Sequence, residues 1–425
     1  MTRLFSISMS VFLLASCTSS RPNLFSRQSP HEVYGKKLSS AGLEGTILGN
    51  QWFLQAQNAL QQPLPITLPF KQTGYFSADK PRAIGLGFSA LRGSKLLFRI
   101  DNAPSGRFVL YADLWLVKTG GKPELLISSD TSLPAFEYTI QESQSYILRL
   151  QPELLGSGQY TLSVTVAPSL KFPVAGKSAR VGSVWGDDRS GGARKHEGID
   201  IFAPKRTPVV AAFAGTINRV DETPIGGKVV WLRPKGMNLN LYYAHLDQQL
   251  VVSGQSVLPG DTLGLVGNTG NALSTPPHLH FGIYALGGAV DPLPYVTAAK
   301  QPSQTKLALP TTRLWRTIRD LTLNGERIQK FTPVLVSDIS EGSIVGSLPD
   351  GRVYSFSDKT LQPIDNQLTT KTIQDSALIL DQPSIQAAVK RMYFSKTQVS
   401  VLGYYNEHSL VETPDGEKGW IGSGK

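Results

Sequence analysis

Four of the chain's six histidines, His196, His245, His278 and His280, fall in one short stretch of the 425-residue sequence. Histidine is the commonest transition-metal ligand and the side chain whose proton moves near neutral pH, so such a cluster suits metal binding, proton transfer or both. His278-Leu279-His280 lies in PPHLHFGIY, whose apolar and aromatic residues predict a strand. On a strand, positions i and i+2 point to one face, so both rings can reach one site. His196 and Asp200 stand four apart in KHEGIDIF. Gly198, Ile199, Ile201 and Pro204 predict a loop running into a strand there, and the even spacing again preserves the face. An imidazole and a carboxylate arriving together suit a borderline ion such as Zn²⁺. Any one of these residues taken alone is more naturally a packed or surface side chain; the joint pattern is what argues for a site. His31, in a polar stretch, and His408, in a turn, read as bystanders.

The elements that must position these residues are short strands. Hydrophobic residues make up 40% and charged residues 17%, with 40 Gly and 28 Pro, a composition that excludes a disordered acidic chain, a coiled coil and a collagen. The length allows two to four domains at roughly 100–200 residues each. The predicted fold class is all-β and multi-domain. Residues 1–16 carry Arg3 and an apolar run from Leu4 to Ala15, a signal-peptide pattern too short to span a bilayer. Residues 17–32 read as a polar tether and 33–168 as an antiparallel β-sandwich of strands such as KLLFRI and QYTLSVTV. A Gly-dense block at 172–298 holds the histidine cluster, a linker follows at 299–306, and two copies of one small β-unit occupy 307–370 and 371–425. The copies show as Thr332, Val334, Val336 and Pro349-Asp350-Gly351 recurring as Thr397, Val399, Val401 and Pro414-Asp415-Gly416. The net charge of +10 favours anionic surroundings, and the scattered basic residues point away from a nucleic-acid partner. The one cysteine, Cys17, excludes an internal disulfide framework and a cysteine-based zinc finger.

Several segments resemble known families. Leu14-Ala15-Ser16-Cys17 resembles the lipobox of bacterial lipoproteins, which implies acylation of Cys17 and a membrane-tethered protein on the extracytoplasmic side of the cell envelope. GSGQYTLSVTV resembles the last strand of pre-peptidase C-terminal domains. Gly403-Tyr404-Tyr405 and LVETPDGEKGWI resemble a bacterial SH3-type barrel, in which Tyr404, Tyr405 and Trp420 read as core. HEGID, Ala244-His245-Leu246 and GLVGNTGNALSTPPHLHF together resemble the M23, or lysostaphin-like, zinc peptidases that cut peptide bridges of bacterial peptidoglycan, over residues 172–295. That resemblance implies His196, Asp200 and His280 as ligands of one Zn²⁺ and His278 and His245 as catalytic residues, with peptidoglycan as substrate; the roles of general base and of stabiliser of the charge on the tetrahedral intermediate are given to His278 and His245 in that order, and the sequence leaves open which takes which. Three protein ligands leave one tetrahedral position open, the mark of a catalytic rather than a structural site. Two departures bear on groove shape: Pro276 stands where Gly is usual, and Gly282 where an acidic residue is frequent. Some proteins of this type act as non-catalytic regulators after losing ligands; the complete set here favours an enzyme. The chemistry should be complete by about Tyr295, so a chain cut near Pro302 is expected to keep it, while the repeats capture the wall polymer.

Overall fold

The computed structural model describes residues 28–103, 108–118, 120–133, 135–310, 312–384 and 386–422. The signal segment, Cys17 and most of the predicted tether lie outside the described residues. The chain is mostly β, with 50% strand and 11% helix.

The chain does not enter the sandwich directly, because two helices come first, at Pro30–Ser40 and Ile47–Gln61. The first opens with a capping box: Ser29 accepts from the Glu32 backbone, Glu32 reaches back to Ser29, and Pro30 occupies the first turn, where its missing N–H costs nothing. The S-P-H-E signal is local, and it was masked by the polar residues around it. The second helix seats Trp52 against the sandwich at 1% exposure, its indole N–H donating to the Pro152 carbonyl at 2.9 Å. His31, expected to be inert in a tether, is instead buried beside it. His408 opens the strand His408–Glu412 rather than sitting in the turn.

Beyond the helices two sheets face each other. One holds Leu64–Pro65, Ile84–Ala90, Gln144–Pro152, Leu110–Val117 and Glu124–Ser128; the other includes Phe70–Phe76, Gly158–Pro168, Ser94–Ala103 and Ala135–Thr139. Their inward residues, among them Leu86, Leu114, Leu148, Phe98, Tyr160 and Val164, form one core. The second sheet does not stop there. Phe70–Phe76 pairs antiparallel with Pro333–Ser340, so the first C-terminal unit extends this second sheet to nine strands. The segment 299–306 is likewise no free linker: Lys300 bridges Val166, and Gln301 accepts from Thr165 at 3.0 Å. The physical reason is that a bare sheet edge offers unpaired N–H and C=O groups, and the C-terminal chain satisfies them.

The internal repeat is structural. The strands Pro333–Ser340, Ser343–Ser347 and Val353–Ser357 are matched by Gln398–Tyr405, His408–Glu412 and Lys418–Gly422, each pair starting 65 positions apart. Gly351 and Gly416 take the same left-handed turn, with φ of 89° and 82°. The copies share a core, since Leu402, Tyr405, Leu410 and Trp420 pack with Val334, Val336 and Phe356.

The central unit is an antiparallel sheet whose order runs Arg180–Ser183, Ile199–Phe202, His278–Ala285, Leu239–Gln249, Gly227–Pro234, Gly215–Thr223, Ser256–Val257. Its core draws on residues from Leu170 to Val296 and none beyond.

Candidate metal centre

Strand register brings the centre together. Asp200 stands opposite His280 in the ladder between Ile199–Phe202 and His278–Ala285, and Ala244 stands opposite His280 on its other side. His196 lies in the loop before Ile199–Phe202 and turns its ring onto the pair. Its Nε2 is 3.0 Å from His280 Nδ1 and 3.1 Å from Asp200 Oδ1, and His280 Nδ1 is 3.0 Å from the same oxygen. A tetrahedral zinc with bonds of ~2.0–2.1 Å spaces its donors ~3.3 Å apart, so this triangle admits such an ion with little movement. It is the one such donor group among the described residues.

Backbone carbonyls aim the rings. His196 Nδ1 donates to Val184 O, His245 Nδ1 to Thr269 O and His278 Nδ1 to Pro276 O, each at 2.9 Å. A carbonyl only accepts, so each ring keeps its proton on Nδ1 and leaves Nε2 free as an electron pair. His278 Nε2 lies 3.9 Å from Asp200 Oδ1. The rings of His245 and His278 are 5.0 Å apart, and those of His245 and His280 5.9 Å. His245 reaches this position through a backbone φ of 62°, in the left-handed region that costs a non-glycine residue on the order of 1 kcal/mol or more. Its N–H is held by the Gly226 carbonyl at 2.8 Å.

Electrostatics fixes the charge states. Burial of Asp200 raises its pKa, but the His196 and His280 rings set against its Oδ1 outweigh this and hold the carboxyl well below the ordinary carboxylate range. Its other oxygen accepts from Arg189 Nη2 at 2.8 Å, and Arg189 also donates to Ser183 Oγ at 2.6 Å. Burial, reinforced by the neighbouring His278 and His280 rings, pushes His245 down to about 4, so this imidazole is neutral at pH 7. Burial also lowers His280, against the opposing pull of Asp200.

All five expected site residues therefore meet at one point, and all but His280, which is half-buried, are buried. Reasoning from spacing did not single out Arg189, although it lies in the VWGDDRSGGARK lead-in; a cation near a carboxylate ligand was the signal available. The three carbonyls carry no side-chain signal at all. The cleft at the centre, about 960 Å³, is lined by central-unit residues alone, among them Arg189, Arg194, Lys195, Glu197, Trp231, Tyr242 and Tyr284.

Comparison with known proteins agrees with this geometry. Residues 194–292 match the model described as peptidase family M23. An uncharacterised metalloprotease of Haemophilus influenzae is 35% identical over 161 residues, which are 37% of this chain and 31% of that protein. The L-Ala–D-Glu endopeptidase of Bacillus subtilis is 38% identical over 128 residues, 27% of this chain and 39% of that one. The peptidoglycan DD-endopeptidase ShyC of Vibrio cholerae is 35% identical over 92 residues, 22% of this chain and 21% of that one. The chain thus spans well under half the length of each of these relatives, and the likeness is confined to its central part. That central part, carrying His196, Asp200 and His280 as a ready donor triangle, is a peptidase family M23 domain.

Proposed function

We propose that the protein is a zinc-dependent endopeptidase that hydrolyses peptide cross-links of bacterial peptidoglycan. The observation that carries this reading is the triangle of His196, Asp200 and His280 donor atoms with two further imidazoles, His245 and His278, turned to the same point. The peptidoglycan endopeptidase among the relatives supports the substrate class. Zinc, when bound, supplies a Lewis acid for the substrate carbonyl and lowers the pKa of water to ~7. His278, with Nε2 free, takes the proton from the attacking water and delivers it to the leaving amine. His245, neutral, stabilises the charge that develops on the substrate oxygen as the tautomer with its single proton on Nε2, which gives up the Nδ1–H bond to Thr269 O. Asp200 and His196 are held in place by Arg189 and Val184 before any substrate arrives.

Around this centre, an acylated Cys17 tethers the protein to the extracytoplasmic face of a bacterial membrane, and the tandem C-terminal units, as SH3-type modules, hold the insoluble wall polymer near the site by avidity. Cys17→Ala should abolish incorporation of labelled fatty acid and release the protein from the membrane fraction; unchanged fractionation without label would remove the anchor.

The chemistry is tested by separating ligands from the base. His280→Ala and Asp200→Ala should lose bound zinc and hydrolysis of purified sacculi together, whereas His278→Ala should keep zinc while the rate falls ~10²-fold or more. A zinc-free but fully active His280→Ala protein would overturn the assignment. Mass analysis of the released fragments identifies the bond cut.

A further inference from the structure

The second helix, Ile47–Gln61, carries no acidic or basic residue, although one side of it is exposed. Soluble surfaces are about 25–35% charged, so a helix without charge is unusual on an outer layer. Amides stand instead: six of its fifteen residues are Asn or Gln, and Gln62 follows at the C-cap. Gln55, Asn58 and Gln62 line a groove of about 490 Å³ together with Asn324 and Val353 of the first C-terminal unit. The start of the strand Ile84–Ala90 also lines it, and Gly85 lets the helix lie that close, because a Cβ there would be 1.7 Å from the Ala59 carbonyl oxygen. Every charged residue of the lining is engaged: Arg82 pairs with Asp338 at 2.7 Å, and Arg352 with Glu326, which also accepts from the Tyr354 hydroxyl at 2.7 Å. The side-chain amides of Gln55, Asn58, Gln62 and Asn324 have no hydrogen-bond partner among the described residues, and Gln55 and Asn58 are half-buried. No residue of the central unit lines this groove, so it is separate from the metal centre.

We infer that this groove binds an uncharged oligosaccharide bearing acetamido groups, the chemistry of the glycan strands to which wall peptides are attached. A primary amide both donates and accepts, so it can pair with a sugar hydroxyl or take up the C=O and N–H of an acetamide together. The aliphatic Leu64 and Val353 offer surface to the C–H faces of the sugar rings. With each lining charge neutralised inside the protein, a charged polymer finds no free counter-charge there. A lipid tail or an apolar helix would desolvate the amides without giving them partners, at a cost for each. The volume lies within the ~300–1,000 Å³ of small-ligand sites. The inference rests on the reading of peptidoglycan as substrate but is measured without turnover.

The probes are chitotetraose, an oligomer of N-acetylglucosamine, and cellotetraose, which has hydroxyls where the acetamides stand, each titrated by calorimetry into the full-length protein. Chitotetraose should bind tighter than cellotetraose by about 5-fold. Gln55→Ala with Asn58→Ala should erase that preference, and Asn324→Ala, outside the helix, should reduce it. Alanine is the better helix former, so thermal unfolding of the double variant should stay unchanged or rise, which separates lost binding from lost fold. Equal affinities for the two sugars, or a preference that survives both variants, overturn the inference. So does a change of oligomeric state in the double variant when the parent binds no sugar, which makes the amide face a contact between copies. Glycan strands freed of peptide should compete with chitotetraose; strands that fail to compete overturn the wall as the source of the ligand. If the protein digests sacculi yet binds neither sugar, only this inference falls; binding by a protein that digests nothing leaves the groove standing and removes the peptidase reading.

Discussion

Asp200 divides its carboxylate between two kinds of partner. Oδ1 faces His196 and His280, and Oδ2 is held by the Arg189 guanidinium. A ligand whose second oxygen is tied down cannot rotate away from the ion, and such outer partners typically set metal affinity by 10–100-fold. Arg189→Gln should therefore weaken zinc binding by ~10-fold or more, read by competition with a chelator, while the fold persists because Arg189 is one-third exposed. An unchanged affinity would mean that the register of the two strands alone orients Asp200. The same scale explains His245. Its left-handed backbone conformation is a local strain that the Gly226 carbonyl and the Thr269 carbonyl hold in place.

At the scale of elements, the first helix is locked onto the sandwich by a polar contact inside an apolar one. His31 stacks on Trp52 at 4.6 Å, shares Nε2 with Gln151 at 2.7 Å and accepts at Nδ1 from Arg149 at 3.0 Å, with Arg149 in turn bonded to Asp113. Burial, and then the Arg149 charge, push His31 down to about 4, although Asp113, Gln151 and Glu32 pull the other way. The unfolded chain protonates His31 first as pH falls, at about 6.5. The stabilisation from neutral His31 is thus complete above that pH and is lost progressively towards 4, on the order of 2 kcal/mol by pH 5. Thermal unfolding of the full-length protein should show the N-terminal transition falling between pH 7 and 5, with a flatter slope in His31→Gln. An identical slope in both proteins would assign the pH dependence to other groups.

At the scale of the whole molecule, the N- and C-terminal parts are one body, not separate modules on a string. Asp338 of the first C-terminal unit is 1% exposed; it accepts from Arg82 at 2.7 Å and from the Tyr160 hydroxyl at 2.6 Å, both on the sandwich. Gly74, opposite Asp338 in the ladder, leaves the room: a Cβ there would meet Asp338 and Tyr160. Removing one partner of a buried ion pair leaves the other uncompensated, so Asp338→Ala should cost about 3 kcal/mol. A cut near Pro302 should act more strongly in the same direction. The sandwich loses its paired edge strand and becomes sensitive to limited proteolysis, while the central unit, whose core contains nothing beyond Val296, stays protected and still cleaves a small soluble peptide. A sandwich as resistant as in the full chain would mean that the shared sheet adds nothing to its stability.

The sequence by itself marked the residues of the central cluster. His278 and His280, two apart in a segment that reads as a strand, share a face because side-chain alternation is a local property of the backbone. It also determined the repeat, whose turn glycines and alternating valines recur in fixed phase. Only the tertiary structure decided which strands are neighbours. That is why Asp200 meets His280, why Arg189 reaches Asp200, and why backbone carbonyls at Val184, Thr269 and Pro276 select the ring nitrogens: each contact joins residues by a register that no local propensity encodes. The same reason hid the shared sheet, since the pairing of Gln72 with Ser340 satisfies backbone groups that look alike in every strand. His31 was misread because its surroundings in sequence are polar, while its surroundings in space, Trp52, Tyr111, Gln151 and Arg149, arrive from distant parts of the fold.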